Sequence, residues 1–215
     1  MRIALIHAVT VAMAPVHEAF ARLWPEAECT DLLDTALAVD RERDGELTAA
    51  MRRRIVVLAD YAAGTGAGGI LFTCSAFGEA IEAAAATSPI PVLKPNEAMF
   101  EAALAAGSRI GMLATFGPSV AGMEGEFREL AARRGSPARI ETICVEGAMP
   151  ALKGGDGATH DRLLAAAAPR LAHCDAVLLA HFSTARAESA VSAALSRPVL
   201  TAPGAAVEKL KSAVA

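Results

Sequence analysis

Aromatic residues are scarce in this sequence: 4% of its 215 positions, with one Trp and one Tyr. Basic residues are not in excess either. Lys and Arg number 20 against 24 Asp and Glu, a formal charge of −4. Nucleic-acid binding wants a basic face and stacking rings, so no nucleic-acid partner is expected. No apolar run reaches the roughly 18–20 residues of a membrane-spanning helix, so no membrane partner is expected either. The four cysteines, Cys29, Cys74, Cys144 and Cys174, form no CxxC pair. Neither a zinc site nor a disulfide framework is indicated, and no metal is expected. There is no GxxxxGK[ST] phosphate loop. One literal GxGxxG, at 64–69, ends a helix and opens a strand, the reverse of a dinucleotide site.

What is abundant is apolar. Apolar types make up 53% of the chain, and the mean hydropathy is +0.37. That suffices for a packed core and excludes general disorder. The start, Met1 to His7, runs straight into an apolar stretch without the layout of a secretory signal, so a cytoplasmic location is expected.

The sequence repeats itself at a spacing of 107. Arg2-Ile3-Ala4-Leu5-Ile6 has its counterpart in Arg109-Ile110-Gly111-Met112-Leu113. Pro91-Val92-Leu93 recurs as Pro198-Val199-Leu200, and the run from Gly68 to Cys74 lies over Asp175 to His181. Three matches in order at one offset imply two similar halves related by a pseudo-two-fold axis. A repeat this long is domain-sized, unlike a solenoid period of about 20–50 residues.

Within each half, short apolar runs alternate with amphipathic ones. Strands are predicted at 2–8, 28–33, 68–73 and 90–94, then at 109–114, 138–145, 175–180 and 197–201. Helices are predicted at 15–24, 45–63, 77–86, 96–106, 118–134, 158–172, 184–195 and 204–213. Continuous apolar strands between helices indicate an α/β fold: two Rossmann-like lobes with parallel sheets. The expected lobes are 1–96 plus 202–215, and 97–201, with helix 96–106 crossing from one half to the other.

Parallel α/β sheets bind ligands beyond the carboxyl ends of their strands. The polar residues there are His7; Thr73, Cys74 and Ser75; Thr115 with Phe116; and His181 with Ser183. Cys74 and His181 are repeat equivalents. Across a pseudo-two-fold axis they would face each other over one cleft, as opposed acid/base groups gripping a small substrate do. Cys74 lies in a Thr-Cys-Ser-Ala-Phe-Gly turn. Free N–H groups at a helix start there would bind a carboxylate and lower the thiol pKa. His7 either acts or only lines the cleft. Thr115 either donates to a carboxylate or only enters its helix. Ser183 either binds or only caps. Cys29, Cys144 and Cys174 read as packing, His17, His160 and His173 as surface or packing, and Arg52-Arg53-Arg54 as a solvated face. Few cations fall near the strand ends, whereas Phe77, Phe116 and Phe182 do. A substrate less polar than aspartate or glutamate is therefore expected.

These residues resemble the aspartate/glutamate/hydantoin racemase superfamily. The likeness lies in the two halves, the Thr73–Phe77 turn, the strand Ile110–Ala114 ending in Thr115, and Pro91-Val92-Leu93 followed by Asn96-Glu97-Ala98. It implies a cofactor-independent enzyme whose domains close on a small carboxylate, with a cysteine from each flanking the α-carbon. It also implies kinship with decarboxylases and cis-trans isomerases that keep other subsets of those cysteines. A homodimer is common in that group; the sequence by itself sets no oligomeric state. Cys74 matches the first family cysteine. The second would fall in a Leu-Gly-Cys-Thr stretch, which here reads Leu179-Ala180-His181-Phe182.

The expected function is thus racemisation or isomerisation at the α-carbon of a small carboxylate such as an amino acid or hydantoin. Cys74 carries the chemistry with His181 opposite. His7, Thr73, Ser75, Thr115, Phe116 and Ser183 hold the substrate. The alternatives are a single-thiol decarboxylase or cis-trans isomerase, or a binding protein without chemistry. An activated thiol that alkylates fast near neutral pH would separate enzyme from binding protein.

Overall fold

A computed structural model describes residues 1–215. Eight strands alternate with ten helices. The first half runs β1 (Arg2–His7), α1 (Met13–Leu23), β2 (Glu28–Leu33), α2 (Thr35–Asp44), α3 (Ala49–Gly64), β3 (Gly69–Phe72), α4 (Gly78–Thr87) and β4 (Val92–Leu93). The second runs α5 (Glu97–Ala106), β5 (Arg109–Ala114), α6 (Val120–Arg133), β6 (Arg139–Cys144), α7 (Ala148–Lys153), α8 (Gly157–Ala167), β7 (Ala176–Leu179), α9 (Glu188–Ala193), β8 (Val199–Thr201) and α10 (Ala202–Ala213).

The strands form two parallel four-stranded sheets of one topology, β2-β1-β3-β4 and β6-β5-β7-β8. The repeat extends to register. Ile3 pairs with Gly69 and Ile110 with Ala176; Ile70 pairs with Val92 and Val177 with Val199. Every one of these positions is displaced by 107. The second strand departs from the rule: Arg2 pairs with Glu28 but Arg109 with Arg139, a displacement of 111. Four residues gained before β6 are lost again before β7. The central strands β3 and β7 are buried at every position, as an apolar strand covered on both faces should be.

The chain divides into two compact units, 1–95 with 203–215, and 96–202. In the first, α10 closes against β3. A methyl on Gly69 would come within 2.9 Å of Val214 and 3.0 Å of Leu210, so the approach requires glycine. In the second, Gly111 gives the same clearance to Leu171.

Two helices depart from the sequence expectation. The stretch 34–48, expected to be irregular up to residue 45, contains α2, capped by the Asp34 side chain accepting from the Ala36 N–H. Its charged composition hides a short buried stripe of Leu37, Ala38 and Arg41. The six-residue α7 contains Pro150 and lies before the Gly154–Gly157 turn, so its signal merged with the loop. Arg54 is also no free solvated side chain. It ties α3 to α2 through Asp34 and Asp40 at 2.5 and 2.6 Å.

Candidate active site

In the first unit the carboxyl ends of β1 and β3 bring His7 and Thr73 together. The His7 ring is buried, with Nδ1 2.8 Å from Thr73 Oγ1 and Nε2 2.9 Å from Asp31 Oδ1 on β2. His17 of α1, partly exposed, reaches the same carboxylate oxygen at 2.9 Å. A carboxylate only accepts, so Nε2 of His7 carries its hydrogen. Burial pushes the His7 pKa down, against the raising influence of Asp31, so the ring is neutral and Nδ1 accepts. The Thr73 hydroxyl proton is therefore directed at His7. His7 thus bridges Thr73 and Asp31 through its two ring nitrogens.

Cys74 follows at once, half-buried, in the 3-10 turn that precedes α4. Its sulfur accepts the Ala76 N–H, and Arg41 lends a positive charge. Both lower the thiol pKa, yet burial outweighs them and drives it up to about 11. This corrects the expected lowered pKa. Three residues of 3-10 turn present too few aligned peptides to offset desolvation. It also removes fast alkylation as a sign of catalysis.

Arg41 adds a cation to strand ends where few were expected. It is 9% exposed, and its Nε donates to Ala76 O at 3.4 Å across the turn that holds Cys74. Its place on the apolar stripe of α2, four residues after Leu37, was the available signal. Ser75 is buried in the same turn.

In the second unit, His181 and Ser183 follow β7 and Thr115 follows β5. Thr115 is 7% exposed, and its Oγ1 is buried without a hydrogen-bond partner. Phe116 beside it is half-buried. The His181 backbone N–H donates to Thr184 Oγ1 at 3.1 Å, and that hydroxyl donates back to His181 O at 2.6 Å, which fixes the turn. Burial, then repulsion from His160, lowers the His181 pKa to about 4. His160, expected at the surface or in packing, is fully buried on α8 with Nδ1 2.8 Å from Asp161. Ser183 is buried, and Phe77 and Phe182 are core residues at 1% exposure, so only Phe116 of the three is open to a ligand.

Asn96, the residue before α5 and the first of the Asn96-Glu97-Ala98 motif, is a further buried polar side chain. It is 1% exposed, caps nothing, and leaves both amide atoms without partners.

The atoms best grouped for a metal belong to Glu141, His173 and Cys174, mutually within 4.8 Å. They lie away from the strand ends just described, and Cys174 sits in the apolar core before β7.

A family model for the Asp/Glu/hydantoin racemases matches residues 8–210. The chain belongs to that family. Solved racemases share its fold. A glutamate racemase from Bacillus anthracis has a TM-score of 0.78 at 14% identity, covering 98% of this chain and 80% of that one. An allantoin racemase from Klebsiella pneumoniae gives 0.72 at 17%, covering 99% and 86%. A glycine-to-cysteine variant of arylmalonate decarboxylase gives 0.66 at 17%, covering 100% and 93%. No curated protein matches the sequence. Within this racemase fold, Cys74 and His181 stand at equivalent positions, two residues past the ends of β3 and β7.

Proposed function

We propose that this racemase-family member works without a cofactor at the α-carbon of a small carboxylate, with Cys74 and His181 acting on one substrate. The observation that carries the reading is their equivalence: each stands two residues beyond the carboxyl end of an inner strand of its unit, 107 residues apart. No other pair of repeat-equivalent strand-end residues couples a thiol with an imidazole.

Their resting states assign the roles. Near neutral pH a thiol at about 11 is protonated and an imidazole at about 4 is not. His181 is then the base that takes the Cα proton, and Cys74 the acid that delivers one to the opposite face. The resulting carbanion needs its carboxylate held by preorganised donors. Ser75 suits that task, supported in the first unit by the Arg41 charge across the same turn. Thr73, whose proton is engaged by His7, meets ligand mainly through its lone pairs.

The same values favour a second reading. Creating thiolate and imidazolium from the resting pair spans about seven decades, on the order of 10 kcal/mol. A protonated thiol that only donates avoids that state. It would quench the enediolate left by loss of CO₂, taking its next proton from water. A single-thiol decarboxylase is therefore the alternative.

The test is solvent exchange in D₂O with amino acids, hydantoins and substituted malonates, followed by NMR. A racemase gives Cα deuteration with inversion; a decarboxylase gives CO₂ loss with deuterium in the product. Cys74→Ser should lower either rate by ~10²–10⁴-fold, as expected on losing a positioned acid. His181→Gln should stop inversion in a racemase and leave a single-thiol decarboxylase largely active. Full activity in Cys74→Ser would refute both readings, and turnover of no member of the panel would favour a binding protein.

A further inference from the structure

Buried polar groups are nearly always hydrogen-bonded, and one left unmade is costly. Asn96 breaks this rule twice, since its Oδ1 and Nδ2 are both buried and both unpartnered. Its place is informative. Helix α5 ends at Gly107, whose neighbours Ser108 and Arg109 are held at the amino end of the second sheet by the Asp175 carboxylate, at 2.9 and 2.8 Å. From there α5 packs along β7 and β8. Its start, and so Asn96, lies at the other end of the sheet, the carboxyl end. Thr115 follows β5 at that same end, with its own buried hydroxyl unpartnered. The usual duty of an Asn before a helix is to accept an N–H of the first turn, and Asn96 makes no such bond.

We propose that Asn96, with Thr115, forms a subsite for a neutral group that offers a carbonyl acceptor and an N–H donor on one edge: a carboxamide. An asparagine amide presents one acceptor and two donors in a plane. A carboxamide satisfies Nδ2 with its oxygen and Oδ1 with its N–H. A carboxylate satisfies Nδ2 and sets a lone pair against Oδ1. Thr115, which both donates and accepts, completes either orientation. This deepens the reading of a small carboxylate substrate and rests on it: one end of the ligand is a carboxylate and the other carries the amide.

The probes are succinamate and succinate, which share one carboxylate and differ at the other end. Binding to the whole chain is measured by calorimetry, and the Asn96 side-chain NH₂ is followed by ¹⁵N NMR. Succinamate should bind about tenfold more tightly and shift the Asn96 NH₂ resonances, since one well-made pair is retained and one repulsion avoided. The second arm is Asn96→Leu, close in size and without polar atoms. It should abolish the preference while raising or preserving the melting temperature, because it removes two unsatisfied groups. A cap or a structural asparagine predicts the opposite, a lowered melting temperature. Equal affinities, a preference that survives in Asn96→Leu, or failure of both probes to bind each overturn the subsite. Loss of the Cys74 and His181 effects on solvent exchange, with the carboxamide preference intact, would overturn the reaction assignment and leave the subsite standing.

Discussion

The acidity of Cys74 can be put to a direct test. A thiol at about 11, against an ordinary 9.0, is ionised to about one part in 10⁴ at pH 7, a hundredfold less than usual. The rarer thiolate is also the better nucleophile. With a Brønsted slope of about 0.4–0.5, two pH units recover nearly a factor of ten. Iodoacetamide should therefore label Cys74 about tenfold more slowly than a free thiol at pH 7, and partial burial slows it further. The rate should climb close to tenfold per pH unit with no plateau by pH 10. Arg41→Gln removes the charge that favours the thiolate and should slow labelling at every pH on that slope. Peptide-resolved mass spectrometry separates Cys74 from Cys29, which burial also raises to about 11. A plateau below pH 9, or labelling faster than glutathione at pH 7, would refute the neutral-thiol starting state. The role of Cys74 as the acid in the resting enzyme would fall with it.

His181 should make stability depend on pH. Its folded pKa of about 4 lies below the ordinary 6.5, so the unfolded chain binds the extra proton first. The stabilisation is complete above about 6.5 and is lost as pH falls towards 4, by about 3 kcal/mol. His7, also lowered, acts with the same sign. Urea unfolding of His181→Gln should show a shallower loss of stability across that window than the parent. Gly69→Ala should cost about 1–3 kcal/mol, because the new methyl drives Val214 and Leu210 off the β3 face. Thermal unfolding would measure it, and an unchanged melting temperature would mean that α10 yields freely.

The inner strands β1, β3, β5 and β7 were legible as apolar runs buried on both faces, and the exposed edge strands β2 and β6 as short β-prone stretches between helices. The 107-residue repeat matched the strands of one half to those of the other, and the family model and solved racemases bear out the α/β fold and the resemblance. The helix over 34–44 was not legible. Its composition is that of a loop, and its buried face consists of Leu37, Ala38 and an arginine. That one omission concealed the cation nearest Cys74. Burial was the other unreadable quantity. A sequence shows that Cys74 sits in a turn with free N–H groups, but not that desolvation outweighs them. Asn96 was visible as part of a motif, but nothing in its neighbours says that its amide would be left unpaired. Strand-end position was readable throughout; the partner of each side chain was not.

The assignment of the two closing helices bears on how such a chain could arise. Helix α5 follows β4 of the first unit yet belongs to the second, and α10 follows β8 of the second yet belongs to the first. Each half of the sequence thus completes the other's core with its final segment. Two separate copies of one ancestral 107-residue segment, each lending its last helix to its twin, would generate this same assembly as an exchanged dimer. Joining them end to end would need no rebuilding of either core. Severing the present chain at Gly107 should accordingly give fragments that are incomplete apart and recover their structure when produced together.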